Sequence, residues 1–197
     1  MKVDILLFED FETLDVFGPV EIFGRLASLY DIHFYSLTGG LVHNKHGVSV
    51  QTEKLESIVN EKAIFLIPGG YGTRIAVNNA PLIDAIRRIA AQTEYVLTVC
   101  TGTALLARTG LLDGRNATSN KRAFEWVVST GPKVNWVKRA RWVVDGKYYT
   151  SSGVSAGMDM TLGFLNDMHG NAFAKDVSSQ IEYTWQENKD EDDFYVP

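Results

Sequence analysis

Cysteine is nearly absent from this chain: Cys100 is the one example among 197 residues. A single thiol cannot close an internal disulfide, so nothing points to an oxidising compartment. Long apolar runs are missing as well. None approaches the roughly 20 residues that cross a bilayer, and Met1-Lys2-Val3-Asp4-Ile5 reads as the start of a charged strand rather than a leader. There is no excess of positive charge: 19 basic side chains face 24 acidic ones, a net of −5, which argues against nucleic acid as a partner. His33, His43, His46 and His169 show no metal-ligand spacing with Cys100, so no zinc site is expected. Neither a Walker-type phosphate loop nor a dinucleotide fingerprint is present, and no cofactor is called for. The expectation is a cytoplasmic protein with neither membrane nor nucleic acid as a partner.

What remains is ordinary material for one filled core: 45% hydrophobic and 22% charged residues. Short apolar runs alternate with amphipathic stretches, the pattern of an α/β sandwich with a mostly parallel central sheet and helices on both faces. Residues 3–8 and 32–37 read as strands. Residues 63–67 and 95–99 are continuous apolar runs, as central strands covered on both faces require. Between these two, Leu82, Ile83, Ile86, Ile89 and Ala90 recur at helical spacing behind Pro81, which suits a first turn. Residues 136–144 and 147–150 read as a small hairpin turning at Asp145-Gly146. Helices are expected over about 154–169 and 172–185. The basic cluster Lys138, Arg139 and Arg141 falls on the first hairpin strand, where a solvated face is expected. One domain over residues 1–186 is followed by an acidic tail, 187–197, expected to fray, with Phe194-Tyr195-Val196 as a docking segment.

Cys100 sits where the strand of residues 95–99 meets Thr101-Gly102-Thr103 and the apolar stretch Ala104-Leu105-Leu106-Ala107. Such a corner projects a side chain from the carboxyl edge of a sheet, where ligands of open α/β folds bind. It has the mechanics of a nucleophile elbow, and the helix start beside it is expected to lower the thiol pKa. Free cysteine is otherwise among the most buried residue types, and a core role is the bland reading. Two further segments end at the same edge. Ile67-Pro68-Gly69-Gly70 follows a central strand, and its backbone N–H groups, with that of Thr101, would form an oxyanion cradle. Asp15 precedes or starts a helix carrying Pro19, as an N-cap or as a carboxylate facing Cys100. Glu21 is the competing acid. No histidine falls on a segment beside Cys100, which disfavours a Cys-His hydrolase.

Leu14-Asp15 with Gly18-Pro19, Ile67-Pro68-Gly69-Gly70, Val99-Cys100-Thr101-Gly102, residues 107–112, Ala117-Thr118-Ser119 and Gly153-Val154-Ser155-Ala156-Gly157-Met158-Asp159 together resemble the ThiJ/PfpI superfamily. Its fold is the flavodoxin-like, class I glutamine-amidotransferase-like sandwich. The likeness leans to the branch holding isonitrile hydratases and the amino-terminal domains of AraC-type regulators. It implies Cys100 as nucleophile, Asp15 as its acidic partner and Thr101 as a contact to the reacting group. It implies Gly69 and Gly70 on the oxyanion side, with Ser152, Val154 and Asn120 near the substrate. A homodimer is implied too. Two positions depart from the pattern. Asn120 stands where many relatives carry histidine, which removes peptidase and glutaminase chemistry. Ser151-Ser152-Gly153 replaces a glycine run, which narrows the pocket. The activity implied is a hydro-lyase, hydration of an isonitrile or related small-molecule electrophile through Cys100 and Asp15. A glyoxalase or deglycase acting on reactive carbonyls, and a non-catalytic thiol sensor or ligand-binding module, stand as alternatives.

Overall fold

The computed structural model describes residues 1–58 and 62–195. In chain order its elements are β1 (Lys2–Leu6), α1 (Thr13–Gly24), β2 (Asp31–Ser36), β3 (Gly40–His43), β4 (Ser49–Lys54), β5 (Ala63–Ile67), α2 (Thr73–Ala76), α3 (Ala80–Gln92), β6 (Tyr95–Thr98), α4 (Gly102–Arg108), β7 (Asn116–Ala117), α5 (Phe124–Thr130), β8 (Asn135–Trp136), β9 (Trp142–Asp145), β10 (Tyr148–Ser151), α6 (Ala156–His169) and α7 (Asn171–Gln180). One sheet runs in the order β3-β4-β2-β1-β5-β6-β10-β9. Its six inner strands are parallel, and an antiparallel strand closes each edge. The helices pack as two groups on opposite faces: α1, α6 and α7 together, and α2, α3, α4 and α5 together.

The sequence explains the centre directly. Every residue of β5, Ala63-Ile64-Phe65-Leu66-Ile67, is buried, as a strand roofed on both faces must be. α3 turns Leu82, Ile83, Ile86, Ile89 and Ala90 inward, and Asn79 caps it by accepting the Leu82 N–H at 3.2 Å. The order reverses at β1, whose neighbours are β2 and β5, so a crevice opens at the carboxyl ends of β1 and β5. The segments leaving β1, β5, β6 and β10 all emerge there, and they carry Asp15, Gly69, Cys100 and Val154 in turn.

The structure corrects four expectations. Residues 136–144 are not one strand: Trp136 belongs to the short β7–β8 ladder and a new strand starts at Trp142. The break has a cause in the tail, because the Arg141 and Trp142 N–H groups both donate to the Lys189 carbonyl, at 2.8 and 3.2 Å. The described part of the tail is therefore anchored on the domain at Lys189 and Asp192. Asp192 is buried, 3.7 Å from Arg141 and 3.9 Å from Lys121. Arg141 is no solvated residue either, since its guanidinium lies buried against Asp159 at 2.5 Å, whereas Lys138 and Arg139 pair on the surface with Glu125 and Glu191. Of the expected docking segment, Phe194 is exposed and Val196 lies outside the described residues. The β3–β4 hairpin was not read from the sequence, because its polar, mostly exposed residues carry little apolar signal. Among the described residues no helix is long and apolar enough to cross a membrane.

Candidate active site

Cys100 adopts φ +58°, a left-handed conformation that L residues with a Cβ rarely take. The elbow is held from both sides: the Cys100 N–H donates to the Ser152 carbonyl at 3.1 Å, and the Ser119 hydroxyl donates to the Cys100 carbonyl at 2.6 Å. Opposite it, Val154 is also left-handed, at φ +48°. The Val154 N–H, like that of Thr101, lies near enough to the Cys100 sulfur to favour its thiolate. Gly157 makes the approach possible, since a Cβ there would meet Val99 Cγ1 at 2.6 Å. Strained backbone of this kind persists only where its surroundings enforce it.

Asp15 lies in the first turn of α1, with its side chain fully buried and no capping role; the N-cap position belongs to Glu12. Its Oδ2 accepts the Gly69 N–H at 2.9 Å. Its Oδ1 is buried without a hydrogen-bond partner, and the carboxyl and the Cys100 thiol are close enough to perturb each other's ionisation. Burial raises the Asp15 pKa well above the ordinary carboxylate range; Glu12 nearby adds to this, and the bonds from Gly69 and the thiol oppose it. Burial likewise pushes the Cys100 thiol up, Asp15 pushes it further, and the Thr101 and Val154 N–H groups offset only part of this. The expected lowering of the thiol pKa is thus overturned: loss of hydration and a neighbouring acid outweigh a helix of only seven residues.

The glycine pair is beside the cysteine, but not as a donor cradle. The Gly69 N–H is taken by Asp15 and the Gly70 N–H by Thr101 Oγ1 at 3.1 Å. Gly69 acts by its lack of a side chain: a Cβ would stand 2.7 Å from Thr101 N and 2.8 Å from Asp15 Oδ2. The backbone N–H groups that favour negative charge on the Cys100 sulfur are those of Thr101 and Val154 instead. Glu21 is outside the site altogether, exposed and bonded to Arg25 at 2.5 Å. Ser152 supports the cysteine backbone and lines a smaller neighbouring cavity of about 190 Å³, together with Asn120 and Val154. Asn120 accepts the Ala123 N–H at 3.0 Å through its Oδ1, which closes the turn before α5.

Cys100, Thr101, Asn120 and Val154 open on a cavity of about 340 Å³. Gly70 and Ala123 line it too, with Glu12, Tyr71, Arg74 and Arg122, four residues outside the sequence-based site candidates. Glu12 had a faint signal, being three residues before Asp15 and hence on the same face of the helix start. Arg74 and Arg122 had none, since only the packing of α2 against α4 and of α4 against α5 brings them together. His46, on the unforeseen hairpin, stands 4.0 Å from Glu12.

A doubly wound sheet bearing a buried cysteine and carboxyl at its switch-point crevice defines a class of flavodoxin-like α/β proteins with a cysteine elbow. Within that class the chain belongs to the DJ-1/PfpI family, whose profile matches residues 1–167. It is 30% identical over 185 residues to an isonitrile hydratase of Pseudomonas putida, covering 93% of this chain and 78% of that protein. It is 32% identical over 165 residues to the HTH-type transcriptional regulator CdhR of Pseudomonas aeruginosa, covering 83% of this chain and about half (48%) of the regulator. The deglycase PfpI of Pyrococcus furiosus is 28% identical over 154 residues, with 77% and 89% covered. Among solved structures, a ThiJ/PfpI family protein from Pseudomonas syringae superimposes with a TM-score of 0.84 at 25% identity, covering 92% of this chain and 74% of that one.

Proposed function

We propose that the protein is a cysteine-dependent enzyme that adds water to an isonitrile or a related small electrophile. The observation that carries this reading is the Asp15–Cys100 pair: a buried carboxyl, one oxygen fixed by Gly69 and the other free, beside a buried thiol. An isonitrile reacts at a single carbon, which must gain both a nucleophile and a proton. A carboxyl adjoining the thiol supplies both from one place, with no need for a histidine.

In the proposed sequence sulfur bonds to the isonitrile carbon while Asp15 Oδ1 delivers its proton to that carbon and takes up the thiol proton in its place, giving a thioimidate. Water then adds to the same carbon, with its protons going by way of Asp15 to the nitrogen and back to sulfur. The carbon–sulfur bond breaks, and an N-substituted formamide leaves the restored thiol. The Thr101 and Val154 N–H groups, near sulfur, stabilise charge on it as the proton departs and again when the bond breaks. Burial raises the Asp15 pKa and so favours the protonated carboxyl from which the first step starts.

The similarity to the hydratase supports this reading. A ligand-binding module without turnover is the second reading, favoured by the regulator relative and by a thiol held protonated through burial. Formamide production from a panel of isonitriles, run beside methylglyoxal conversion, separates them. Hydration by the wild type that is lost in Cys100→Ser and in Asp15→Asn is the expected result. Methylglyoxal turnover alone would move the protein to carbonyl chemistry. Saturable ligand binding with no product in either assay would make it a binding module.

A further inference from the structure

Two guanidinium groups in the wall of the cysteine cavity are not used by the proton chemistry. Arg74, on α2, lies flat over the Trp126 ring, 3.7 Å from its centroid, and donates through Nη1 to Thr73 Oγ1 at 3.2 Å. Thr73 in turn donates to the Gly70 carbonyl at 2.7 Å, so Arg74 is braced on the loop that carries the glycine pair. Arg122, just before α5, is exposed at the opposite rim of that wall. Neither forms an ion pair among the described residues; the same holds for Arg88 and Arg108, but of these four only Arg74 and Arg122 line the cysteine cavity. A third cation, Lys45, sits 3.7 Å over the ring of Tyr71, another cavity residue. The acid of the cavity, Glu12, comes from the α1 side and stands near Asp15.

The cavity is therefore polar in a directed sense. On the α1 side it is lined by Glu12, which lies near the buried Asp15 carboxyl. Its α2–α5 wall holds unpaired guanidiniums, one of them pre-ordered by stacking, which is the arrangement that receives a planar anion. A neutral substrate would leave the charge of both guanidiniums without a counter-charge in the cavity. We propose that the substrate is an electrophile carrying a carboxylate, with its reacting carbon between Cys100 and Asp15 and its carboxylate on Arg74 and Arg122. This deepens the proposed function by naming the substrate class, and it rests on Cys100 being the reacting group.

Alkylation tests it without requiring turnover. Iodoacetate and iodoacetamide are close in size, differ by one negative charge and consume the same thiolate, so their rate ratio is independent of the thiol pKa. Cys100 is the only cysteine, so all labelling reports on this site. The ratio of iodoacetate to iodoacetamide rates is expected to exceed that of the urea-unfolded chain by about tenfold, the size of about 1.4 kcal/mol of charge recognition. It should fall towards the unfolded value in Arg74→Gln/Arg122→Gln and, in the wild type, as salt is raised. Arg122→Gln alone, at an exposed position, repeats the test if removing Arg74 from Trp126 impairs folding. A native ratio equal to the unfolded one, or one indifferent to salt and to both substitutions, overturns the proposal.

Turnover of isocyanoacetate against its methyl ester then separates the two readings. A high iodoacetate ratio with neither isonitrile hydrated would reject the hydratase and leave anion recognition standing. Hydration of both compounds with an ordinary alkylation ratio would do the reverse.

Discussion

Asp15 and Cys100 each discourage the other's ionisation, and this makes their separation by mutation informative. Asp15 raises the thiol pKa, so Asp15→Asn should speed alkylation of Cys100 by iodoacetamide at pH 8 while removing turnover. A simple general base would do the opposite, its loss slowing both. The same substitution has a signature in stability. The folded-state pKa of Asp15 lies above its unfolded value, so its contribution to stability is intact at pH below the unfolded value and is lost as pH climbs through the folded one. Thermal melts of wild type and Asp15→Asn should therefore nearly coincide around pH 3.5 and diverge above it, with the variant the more stable at pH 8. Asn120 belongs to the same scale. Its Oδ1 closes a turn onto the Ala123 N–H, and losing that bond in Asn120→Ala should cost about 1 kcal/mol. The effect on kcat should stay under about tenfold, since an amide exchanges no proton near neutral pH. A thousandfold loss in a well-folded variant would place Asn120 on the reacting atoms.

Among the elements, the C-terminal tail and the strap before β9 decide whether the cysteine loop keeps its shape. Asp192 meets Arg141, the Arg141 carbonyl accepts the Ser152 N–H at 2.8 Å, and the Ser152 carbonyl accepts the Cys100 N–H. The tail is thus three contacts from the thiol. Lys121 is part of the same buried group; burial lowers its pKa to about 8 although Asp192 pulls it up. Asp192→Asn removes a charge from between two buried cations, for which a loss of about 2 kcal/mol is expected, read as a lower denaturation midpoint with unchanged m. Asp192 is a positioning residue if the Cys100 alkylation profile against pH also shifts. A variant equally destabilised at the β3–β4 edge, such as Thr52→Ala, serves as the control that leaves that profile alone. Loop 152–154 and α6 meet the elbow through Gly157 and Val99, so any slack in the strap reaches sulfur through the Val154 N–H.

At the level of the whole molecule, the parallel core and its antiparallel edges differ in what protects them. β1, β5 and β6 are buried almost throughout, and their ladder bonds should open only with global unfolding. The β3–β4 hairpin exposes most of its residues and pairs with the core only through two residues of β2, Tyr35 and Ser36. Native-state hydrogen exchange should show amides 40–54 exchanging orders of magnitude faster than those of β5. Equal protection in the two would mean that the edge folds as one unit with the centre. The crevice lies where strand order reverses, between β1 and β5, so the slowest-opening strands are also those that carry the candidate site.

The central strands, α3 and the strand-to-helix corner at Cys100 were legible in the chain itself, because continuous apolar runs, helical spacing and turn chemistry are local properties. Asp15 and Glu21 could not be separated from sequence alone, since both lie on one helix and only its docking buries the first and leaves the second paired with Arg25. The thiol pKa was misjudged for the same reason: a helix start is visible in sequence, whereas the burial that outweighs it is not. Which backbone N–H groups lie near sulfur, the order imposed on an acidic tail, and the meeting of Arg74, Arg122 and Glu12 around one cavity all depend on residues far apart in the chain. Hydrophobic pattern specifies the layers of this fold. Charge and hydrogen-bond partners were assigned only when packing had chosen who meets whom and how much water stays between them.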